Sequence, residues 1–565
     1  MKSLVQKLSL LPVSALMLLG LAQAQSPVTD RMKEHISYLA SDALEGRETG
    51  KAGEKLASSY ITGQLESLGL KPMGNAAGTE WLQPFDFLNR LRPTADCAFA
   101  VDGKTLTLDT DYQIFPQSGD GTMEGTAVYV GFGIQAPPLG HDDYKAAGDV
   151  TGKILVIDRG TPDGDDPHGK FGDYAAIDLK VETAVKMGAA GIIFVNPSNQ
   201  QLDAPIMNYG RKATRRAIPI VFVGTRDAKA IGGKAIKAKV GLTEENLTGH
   251  NVIGYMDNGA AYTIVIGAHY DHLGFGEEGS LHRGETAIHN GADDNASGTA
   301  MVIELARSLK QAANLRKYNY LFMAFSGEEK GLYGSNYFCK NPTIDLGKVS
   351  CMINFDMVGR LDPEKNTLGI NAVGTSPFWK DAMAGIQIDD MKVKTAESGV
   401  GPSDHTSFYL KDIPVLHFFS GTHSDYHKPS DDENLINYAG ADKIYRYVWT
   451  LLEKLNEKGD KLAFTQTKND EEGDAPRWKV SLGVVPDYLF DGEGMRIDGV
   501  TEGKPASKAK LLAGDVVVRM GDNEVKDMMS YMRALSKFEK GDTVEVEVIR
   551  KKGGKEKHVK RKVTF

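Results

Sequence analysis

Five segments in the second half of the chain place histidine or acidic residues at the end of an apolar run or the start of a helix. They hold His269 and Asp271 after YTIVIGA, Asp293 and Asp294 in NGADDNASGT, Glu328 and Glu329 after YNYLFMAF, Asp356 after CMINF, and His423 and His427 in THSDYHKPSDD. Each pattern alone has an ordinary explanation, such as a helix cap or a structural His–Asp pair. Together they supply oxygen and imidazole ligands without a thiolate, a set typical of zinc in a catalytic site.

The elements that must position these residues begin at Asn251, where short apolar strands start to alternate with amphipathic helices. The segments SGTAMVIELARSLKQAA and ADKIYRYVWTLLEKL both repeat apolar residues at helical spacing. Near-continuous apolar strands between such helices predict an α/β domain whose central sheet is covered by helices on both faces. Ligands bind such sheets beyond the carboxyl ends of the strands, so we expect the five segments to converge there.

Six motifs within residues 250–457 resemble, in order, those of a known family: GAHYDH, GADDNASG, FSGEEKGLYGS, NFDMVGR, GPSDHTSF and DYHKPSD. The family is the co-catalytic di-zinc aminopeptidases, leucyl-aminopeptidase-like zinc exopeptidases of clan MH. The resemblance implies the zinc exopeptidase fold, with a mixed central sheet, and two Zn²⁺ ions per chain. By motif, His269 and Asp356 would bind one ion, Glu329 and His427 the other, and Asp294 would bridge them.

The same resemblance implies catalytic roles for neighbours of these ligands. Glu328 would be the general base, since a carboxylate committed to zinc cannot take a proton from water. Asp271 would orient the ring of His269 through its other nitrogen. Tyr426 would stabilise the tetrahedral oxyanion.

Other residues of the motifs receive weaker or no assignments. Asp404 and His405 would support the site from behind or contact substrate, and the peptide bond after Asp294 would be cis. No role follows from the resemblance for the remaining histidines, among them His272, His282, His289 and His423.

Two further units flank or interrupt the peptidase segments, which we predict at residues 25–117 and 248–457. The β-rich block at 118–247 resembles a protease-associated domain inserted into them. A polar linker at 458–477 leads to a β-rich unit at 478–565 that resembles a PDZ domain. In its segment SLGVVPDY, Leu482 and Gly483 would bind a peptide carboxylate through backbone N–H groups.

The N-terminal segment, the net charge and the cysteines give expectations about where the protein acts and what it binds. Residues 1–24 have a basic start, an apolar stretch and an Ala-Gln-Ala site, which predict a signal peptide and export to the periplasm or beyond. We expect no transmembrane segment in the mature chain. A net charge of -9 gives no reason to expect nucleic acid as a partner. Three cysteines, Cys97, Cys339 and Cys351, allow at most one disulfide.

The expected function is therefore that of an exported zinc aminopeptidase. It would hydrolyse N-terminal residues from peptides by means of a metal-bridged water and a glutamate general base, and its PDZ-like tail would aid substrate capture. One alternative is a glutaminyl-cyclase-like acyl transferase that uses the same fold with one zinc. Another is a non-catalytic scaffold that binds peptides through the PDZ-like tail.

Overall fold

The computed structural model describes residues 27–565, apart from 165–168, 199, 201, 203, 206, 208, 210–214, 226, 283, 468–479, 487–492, 501–503, 527, 540 and 553–554. The predicted signal peptide and residues 468–477 of the predicted linker lie outside the described residues. Among the helices that are described, none is both long and apolar enough to cross a membrane.

The first described elements are two helices and two strands that join the peptidase segment. Helix α1 turns Met32, Ile36 and Leu39 towards the core, at the spacing of one helix face. A kinked 3₁₀ segment, Asp42–Arg47, separates it from the second helix. The elements are α1 (Pro27–Leu39), α2 (Ala52–Ser67), β1 (Lys71–Pro72) and β2 (Leu82–Pro93).

A mostly-β unit follows, as predicted. Its eight-stranded sheet has the order β4-β3-β12-β6-β9-β10-β11-β5, and apolar clusters cover both faces of the sheet. Three of its strands precede residue 118, and the predicted domain boundaries stay predictions. The elements are β3 (Ala98–Val101), β4 (Lys104–Leu106), β5 (Tyr112–Ile114), β6 (Gly121–Tyr129), β7 (Gln135–Ala136), β8 (His141–Asp142), α3 (Asp143–Ala147), β9 (Ile154–Asp158), α4 (Ile177–Lys186), β10 (Gly191–Val195), β11 (Ile220–Val223) and β12 (Ala235–Val240).

The chain then returns to the peptidase unit through a long strand that pairs with β2. The elements are β13 (Leu242–Met256), β14 (Thr263–His269), α5 (Gly298–Gln311), β15 (Asn319–Phe325), α6 (Tyr333–Lys340), β16 (Val349–Phe355), β17 (Thr367–Asn371), α7 (Pro377–Met383), β18 (Lys392–Thr395), α8 (His405–Tyr409), β19 (Val415–Phe419) and α9 (Tyr438–Lys458). They build a nine-stranded sheet of order β1-β13-β15-β14-β16-β19-β17-β18, with β2 paired to β13.

The central sheet is mixed, which confirms the fold class. Strands β15, β14, β16 and β19 are parallel neighbours, whereas β13 runs antiparallel to β15 and β17 runs antiparallel to β19. Because the four parallel strands end at the same edge, the residues that follow them meet there.

Both faces of this sheet are buried, as the apolar strands predicted. On β14, Ile264 and Ile266 pack in one cluster with α1, α2, α5 and α9, whereas Val265 packs in another cluster with Phe338 of α6 and Phe408 of α8. Adjacent residues of a strand face opposite sides, so helices lie on each face. Every residue of β14, β15 and β16 is buried.

The C-terminal unit has a separate core in which Leu482, Ile497, Val517, Leu535 and Val546 are buried together. Its sheet has the order β20-β21-β22-β24-β25, with β23 paired to β22. The elements are β20 (Val484–Pro486), β21 (Met495–Val500), α10 (Pro505–Lys508), β22 (Val516–Met520), β23 (Asn523–Glu524), α11 (Met528–Ser536), β24 (Thr543–Lys552) and β25 (Lys555–Thr564).

All three cysteines fall within the described residues, and each is a free thiol. Cys339 and Cys351 are buried on opposite faces of the central sheet, and Cys97 is half-buried in the inserted unit. Burial raises the pKa of the Cys339 thiol to about 12, so this thiol stays protonated near neutral pH.

Candidate metal centre and active site

The five predicted segments meet at the carboxyl edge of the central sheet. His269 is the last residue of β14, and Asp356 directly follows β16. Glu328 and Glu329 follow β15 by three and four residues, and His427 lies in the loop after β19. Asp294 comes from the turn that leads into α5, and its side chain is almost completely buried.

Two sets of ligand atoms share the carboxylate of Asp294. Its Oδ1 lies 3.3 Å from Nε2 of His269, which lies 3.4 Å from Oδ1 of Asp356. Its Oδ2 lies 3.3 Å from Nε2 of His427, which lies 3.2 Å from Oε2 of Glu329. Tetrahedral zinc with bonds of ~2.0–2.1 Å holds neighbouring ligand atoms about 3.3 Å apart. The residues present therefore fit two zinc ions bridged by Asp294.

His272 also lies within this centre, although the sequence assigned it no role. With Asp294 and Glu329 it forms a second possible ligand group, beside the group of His269, Asp294 and Asp356. Its Nδ1 lies 2.7 Å from Oε1 of Glu329. No signal in the sequence separates this histidine from a surface one, because its contact is with a residue 57 positions away.

The adjacent glutamates differ sharply in their electrostatic surroundings. Burial raises the pKa of Glu328 well above its usual value, and the charges of Asp356 and Glu329 add to this effect against the opposing charge of His269. Burial alone would also raise the pKa of Glu329, but the charge of His427 and the hydrogen bonds to His272 and His427 together outweigh it and lower that pKa to about 2. Glu329 is thus held as an anion suited to a cation, whereas Glu328 can hold a proton.

The shared carboxylate is held by a network of buried polar groups. Both oxygens of the Asp431 carboxylate accept backbone N–H bonds from Asp293, and its Oδ2 accepts one at 3.0 Å from Asp294. The side chain of Asn295 donates to the carbonyl of Phe355, the residue before Asp356, at 2.9 Å. The Asp294–Asn295 peptide bond is cis, as the resemblance implied.

Asp271 lies beside the centre, with contacts that differ from the expected one. Its Oδ1 is 3.7 Å from Nδ1 of His269, whereas its backbone carbonyl is 3.2 Å from the same nitrogen. Its carboxylate instead accepts bonds from the backbone N–H of Glu328, at 3.2 Å, and from the hydroxyl of Thr49, at 2.8 Å. The side chain therefore anchors the Glu328 backbone, and the main chain of Asp271 faces the His269 ring.

Arg47 is a positioning residue that sequence reasoning missed. Its guanidinium is completely buried and donates to the carbonyls of Leu39, Tyr270, Asn290 and Gly291. It thereby connects the end of α1 to the residue after His269 and to the turn that carries Asp294. An arginine in the turn LEGRETG has the pattern of an exposed residue, so the sequence held no signal for this contact.

A cavity of about 80 Å³ opens beside the ligands. The ring of Tyr426 stacks on His427, with centroids 3.9 Å apart, and lies in the cavity wall. The cavity is lined by His269, Asp294, Glu328, Glu329, Asp356, Met357, Asn371, Pro402, His417, Phe419, Thr422, Tyr426 and His427.

Asp404 and His405 are buried behind this lining. The ring of His405 stacks on that of His417, which is in the cavity wall, with centroids 4.6 Å apart. Burial raises the pKa of Asp404 to about 7, and its charge acts on Glu328. Neither residue lies in the cavity lining, so support of the site from behind is the expected role that their positions favour, and both roles stay predictions.

The two residues of the predicted carboxylate-binding loop make contacts within the C-terminal unit. The side chain of Leu482 is buried in the core of the unit, and its carbonyl accepts a bond from Ala506. The N–H of Gly483 donates to the hydroxyl of Ser481 at 3.1 Å. Peptide binding by Leu482 and Gly483 stays a prediction.

Comparisons with known proteins assign each unit to a family. Residues 251–452 match the model of peptidase family M28, residues 123–231 that of the PA domain, and residues 463–563 that of the PDZ domain. Aminopeptidase YwaD of Bacillus subtilis (strain 168) is 26% identical over 403 residues, which are 69% of this chain and 77% of that protein.

Two further relatives show how far the likeness extends. Leupeptin-inactivating enzyme 1 of Streptomyces exfoliatus is 31% identical over 189 residues, 33% of this chain and 39% of that protein. The chain thus spans well under two thirds of this relative. A solved aminopeptidase from Aneurinibacillus sp. strain AM-1 is 23% identical with a TM-score of 0.43, over 80% of this chain and 97% of that one.

Proposed function

The chain carries a peptidase family M28 domain, and from that premise we propose that it is a zinc-dependent aminopeptidase that removes N-terminal residues from peptides. One observation carries the proposal. Two ligand sets with tetrahedral spacing share Asp294, and the uncommitted carboxylate of Glu328 lies in the same cavity wall.

The residues divide the work of hydrolysis between them. When bound, two zinc ions would polarise the scissile carbonyl and lower the pKa of a water molecule towards neutrality. Glu328 takes a proton from the attacking water and passes it to the nitrogen of the leaving amine. Burial suits it to this task, because a raised pKa brings the carboxylate closer to the pH at which it works. Glu329, with its lowered pKa, stays a ligand.

Preference for a free N-terminus follows from the cavity beside the ligands. Three of the carboxylates in its lining, those of Asp294, Glu329 and Asp356, are assigned to the metal ions. The carboxylate of Glu328 is the one of this set left to face the positive α-amino group of a substrate. We assign Tyr426, which lies in the cavity wall, the donation of a hydrogen bond to the oxyanion.

The flanking units support the capture of peptides. The hydroxyl of Thr422, a cavity residue, donates to the carbonyl of Pro486 in β20 at 3.3 Å. The strand that follows the predicted carboxylate-binding loop thus lies at the rim of the cavity. We assign the PDZ domain the task of holding substrate close to the metal centre. We assign the PA domain the task of forming one side of the cleft that leads to this centre. The proposed place of action is the periplasm or the exterior of the cell.

The proposal is tested by assaying purified full-length protein on a panel of aminoacyl-anilides, before and after chelation, together with Glu328→Gln. We expect two zinc ions per chain, free amino acid as product, and a loss of turnover of about 10²–10⁴-fold in Glu328→Gln with zinc retained. Undiminished turnover in that variant would refute the base assignment. One zinc per chain with cyclised N-terminal glutamine as product would instead identify a glutaminyl cyclase.

A further inference from the structure

His272 is a histidine in the metal centre to which neither the motifs nor the proposed reaction gives a task. It follows His269 by three residues, and its side chain has no exposed surface. Its backbone N–H donates to the carbonyl of Arg47 at 3.3 Å, which fixes the main chain at this point. Complete burial of an imidazole beside two carboxylates calls for a physical explanation, because a buried polar ring is costly unless it is hydrogen-bonded.

The distances around His272 distinguish between two roles for its ring, a hydrogen bond to Glu329 and direct binding of zinc. Nitrogen–oxygen distances between the presumed ligands are 3.2–3.4 Å, close to the about 3.3 Å edge of a zinc tetrahedron. Nδ1 of His272 lies 2.7 Å from Oε1 of Glu329, which is shorter than such an edge and matches a charge-assisted hydrogen bond. The same nitrogen is 3.9 Å from Oδ2 of Asp294, which is longer than an edge.

We propose that His272 is a positioning residue, whose Nδ1–H donates to Oε1 of Glu329 and thereby presents Oε2 to the second zinc ion. This inference rests on the proposed zinc centre, but it concerns one ligand within it. The two oxygens of Glu329 have different partners, since Oε1 faces His272 and Oε2 faces Nε2 of His427 at 3.2 Å. A carboxylate held at both ends cannot rotate to bind through both oxygens.

The arrangement also fixes the tautomer of His272. The ionised carboxylate of Glu329 can only accept hydrogen bonds, so Nδ1 of His272 must carry the proton of this bond. Nε2 of the ring is buried and has no hydrogen-bond partner among the described residues. The ring of His427 lies at 71° to that of His272 with centroids 5.8 Å apart, so the two imidazoles enclose Glu329 from different directions. Groups that orient a metal ligand in this way typically change metal affinity by about 10–100-fold.

Two substitutions distinguish a hydrogen bond from simple packing. His272→Phe keeps an aromatic ring but removes the donor. His272→Asn keeps a donor nitrogen at the same number of bonds from Cβ but loses ring volume. His282→Phe, at an exposed histidine of the following loop, is the matched control for loss of an imidazole.

The experiment titrates Zn²⁺ into chelator-treated full-length protein by calorimetry and records the visible absorption of the Co²⁺ form. We expect His272→Phe to weaken one of the two zinc sites about 10–100-fold and to alter the Co²⁺ bands of that site. In His272→Asn and His282→Phe, the zinc affinity of both sites should stay within about threefold of that of the parent. The first variant retains a donor, and the second changes a residue outside the hydrogen bond.

Three results would overturn the inference. Equal weakening by His272→Phe and His272→Asn would mean that only packing matters, and unchanged affinity in His272→Phe would mean that the bond is irrelevant. X-ray absorption of the zinc-loaded parent that counts three imidazole nitrogens per two metal ions would make His272 a ligand. A parent that binds no pair of zinc ions would instead refute the proposed function, so the two failures are distinguishable.

Discussion

At the scale of single residues, the centre depends on two adjacent glutamates whose surroundings differ. Gly327 precedes them with φ of 74°, and a Cβ at that position would lie 3.0 Å from the side chain of Tyr333. The tight turn after β15 therefore needs glycine. Beyond the turn, Glu329 faces His272 and His427, whereas Glu328 is enclosed with Asp356 nearby. Charge and burial thus give two adjacent residues the different properties that the proposed ligand and the proposed base need.

A prediction at this scale concerns the shared carboxylate. Asp294→Ala should reduce bound zinc from two ions per chain to about none, because both ligand sets lose an oxygen. Glu329→Ala should leave about one, because only the set of His427 is changed. Zinc per chain is measured by elemental analysis after dialysis against a weak chelator. If Asp294→Ala still retains one tightly bound ion, the bridging role is wrong.

At the scale of elements, the parallel strands bring the proposed ligands to one edge, and the segment between α1 and α2 contacts the chain next to two of them. Arg47 of that segment donates to the carbonyls of Tyr270 and Gly291, beside the first ligand and the bridging turn. Burial lowers the pKa of its guanidinium to about 10, and the charges of Asp294 and Asp271 oppose this. The group therefore stays charged at neutral pH and stabilises the acidic centre from behind.

Replacement of this arginine should damage stability and metal binding together. Arg47→Met leaves four buried carbonyls without their donor, so we expect the unfolding free energy to fall by about 3 kcal/mol or more. The measurements are the thermal transition by calorimetry and the zinc affinity. Arg92→Met is the control, because Arg92 lies half-exposed on β2 and its ion pair is worth less than about 1 kcal/mol. Equal effects of the two variants would contradict the role of Arg47.

The sequence allowed the α/β class and the convergence of the five segments to be predicted, because buried strands and their polar ends have local patterns. The mixed sheet was implied by the family resemblance. The sequence did not allow the partners of Arg47, His272 and the Asp271 carboxylate to be predicted. Arg47 and Tyr270 are 223 positions apart, and Asp271 and Thr49 are 222 apart. Contacts over such distances are decided by tertiary packing, which leaves no periodic signal in the chain.

At the scale of the whole molecule, the peptidase, inserted and C-terminal units have hydrophobic clusters of their own. The C-terminal core closes on its own residues, and one described bond to the peptidase unit, from Thr422 to Pro486, lies at the cavity rim. An independent core suggests that this unit can be removed without unfolding the rest. Its position by the cavity means that removal should affect long substrates more than short ones.

A truncation after residue 467 tests this arrangement. Hydrolysis of aminoacyl-anilides should change by less than about threefold, because all ligands and Glu328 remain. kcat/KM for peptides of about ten residues should fall about tenfold or more, because local concentration of the substrate is lost. The comparison needs both substrates on the same zinc-loaded preparation. An equal loss on both would mean that the unit supports the peptidase fold, and no loss on either would exclude a role in capture.

The pairing of β2 with β13, from Leu82 opposite Val252 to Pro93 opposite Leu242, has a consequence for biosynthesis. The two strands flank the whole inserted unit, so β2 and α2 emerge from the ribosome long before β13, and α1 emerges longer still before α5 and α9. At about 5–20 residues per second, the roughly 150 intervening residues take about 7–30 seconds to translate. The nascent chain must keep the apolar face of α1 from aggregating during this delay, while the insertion, whose contacts are more local, can complete its folding first.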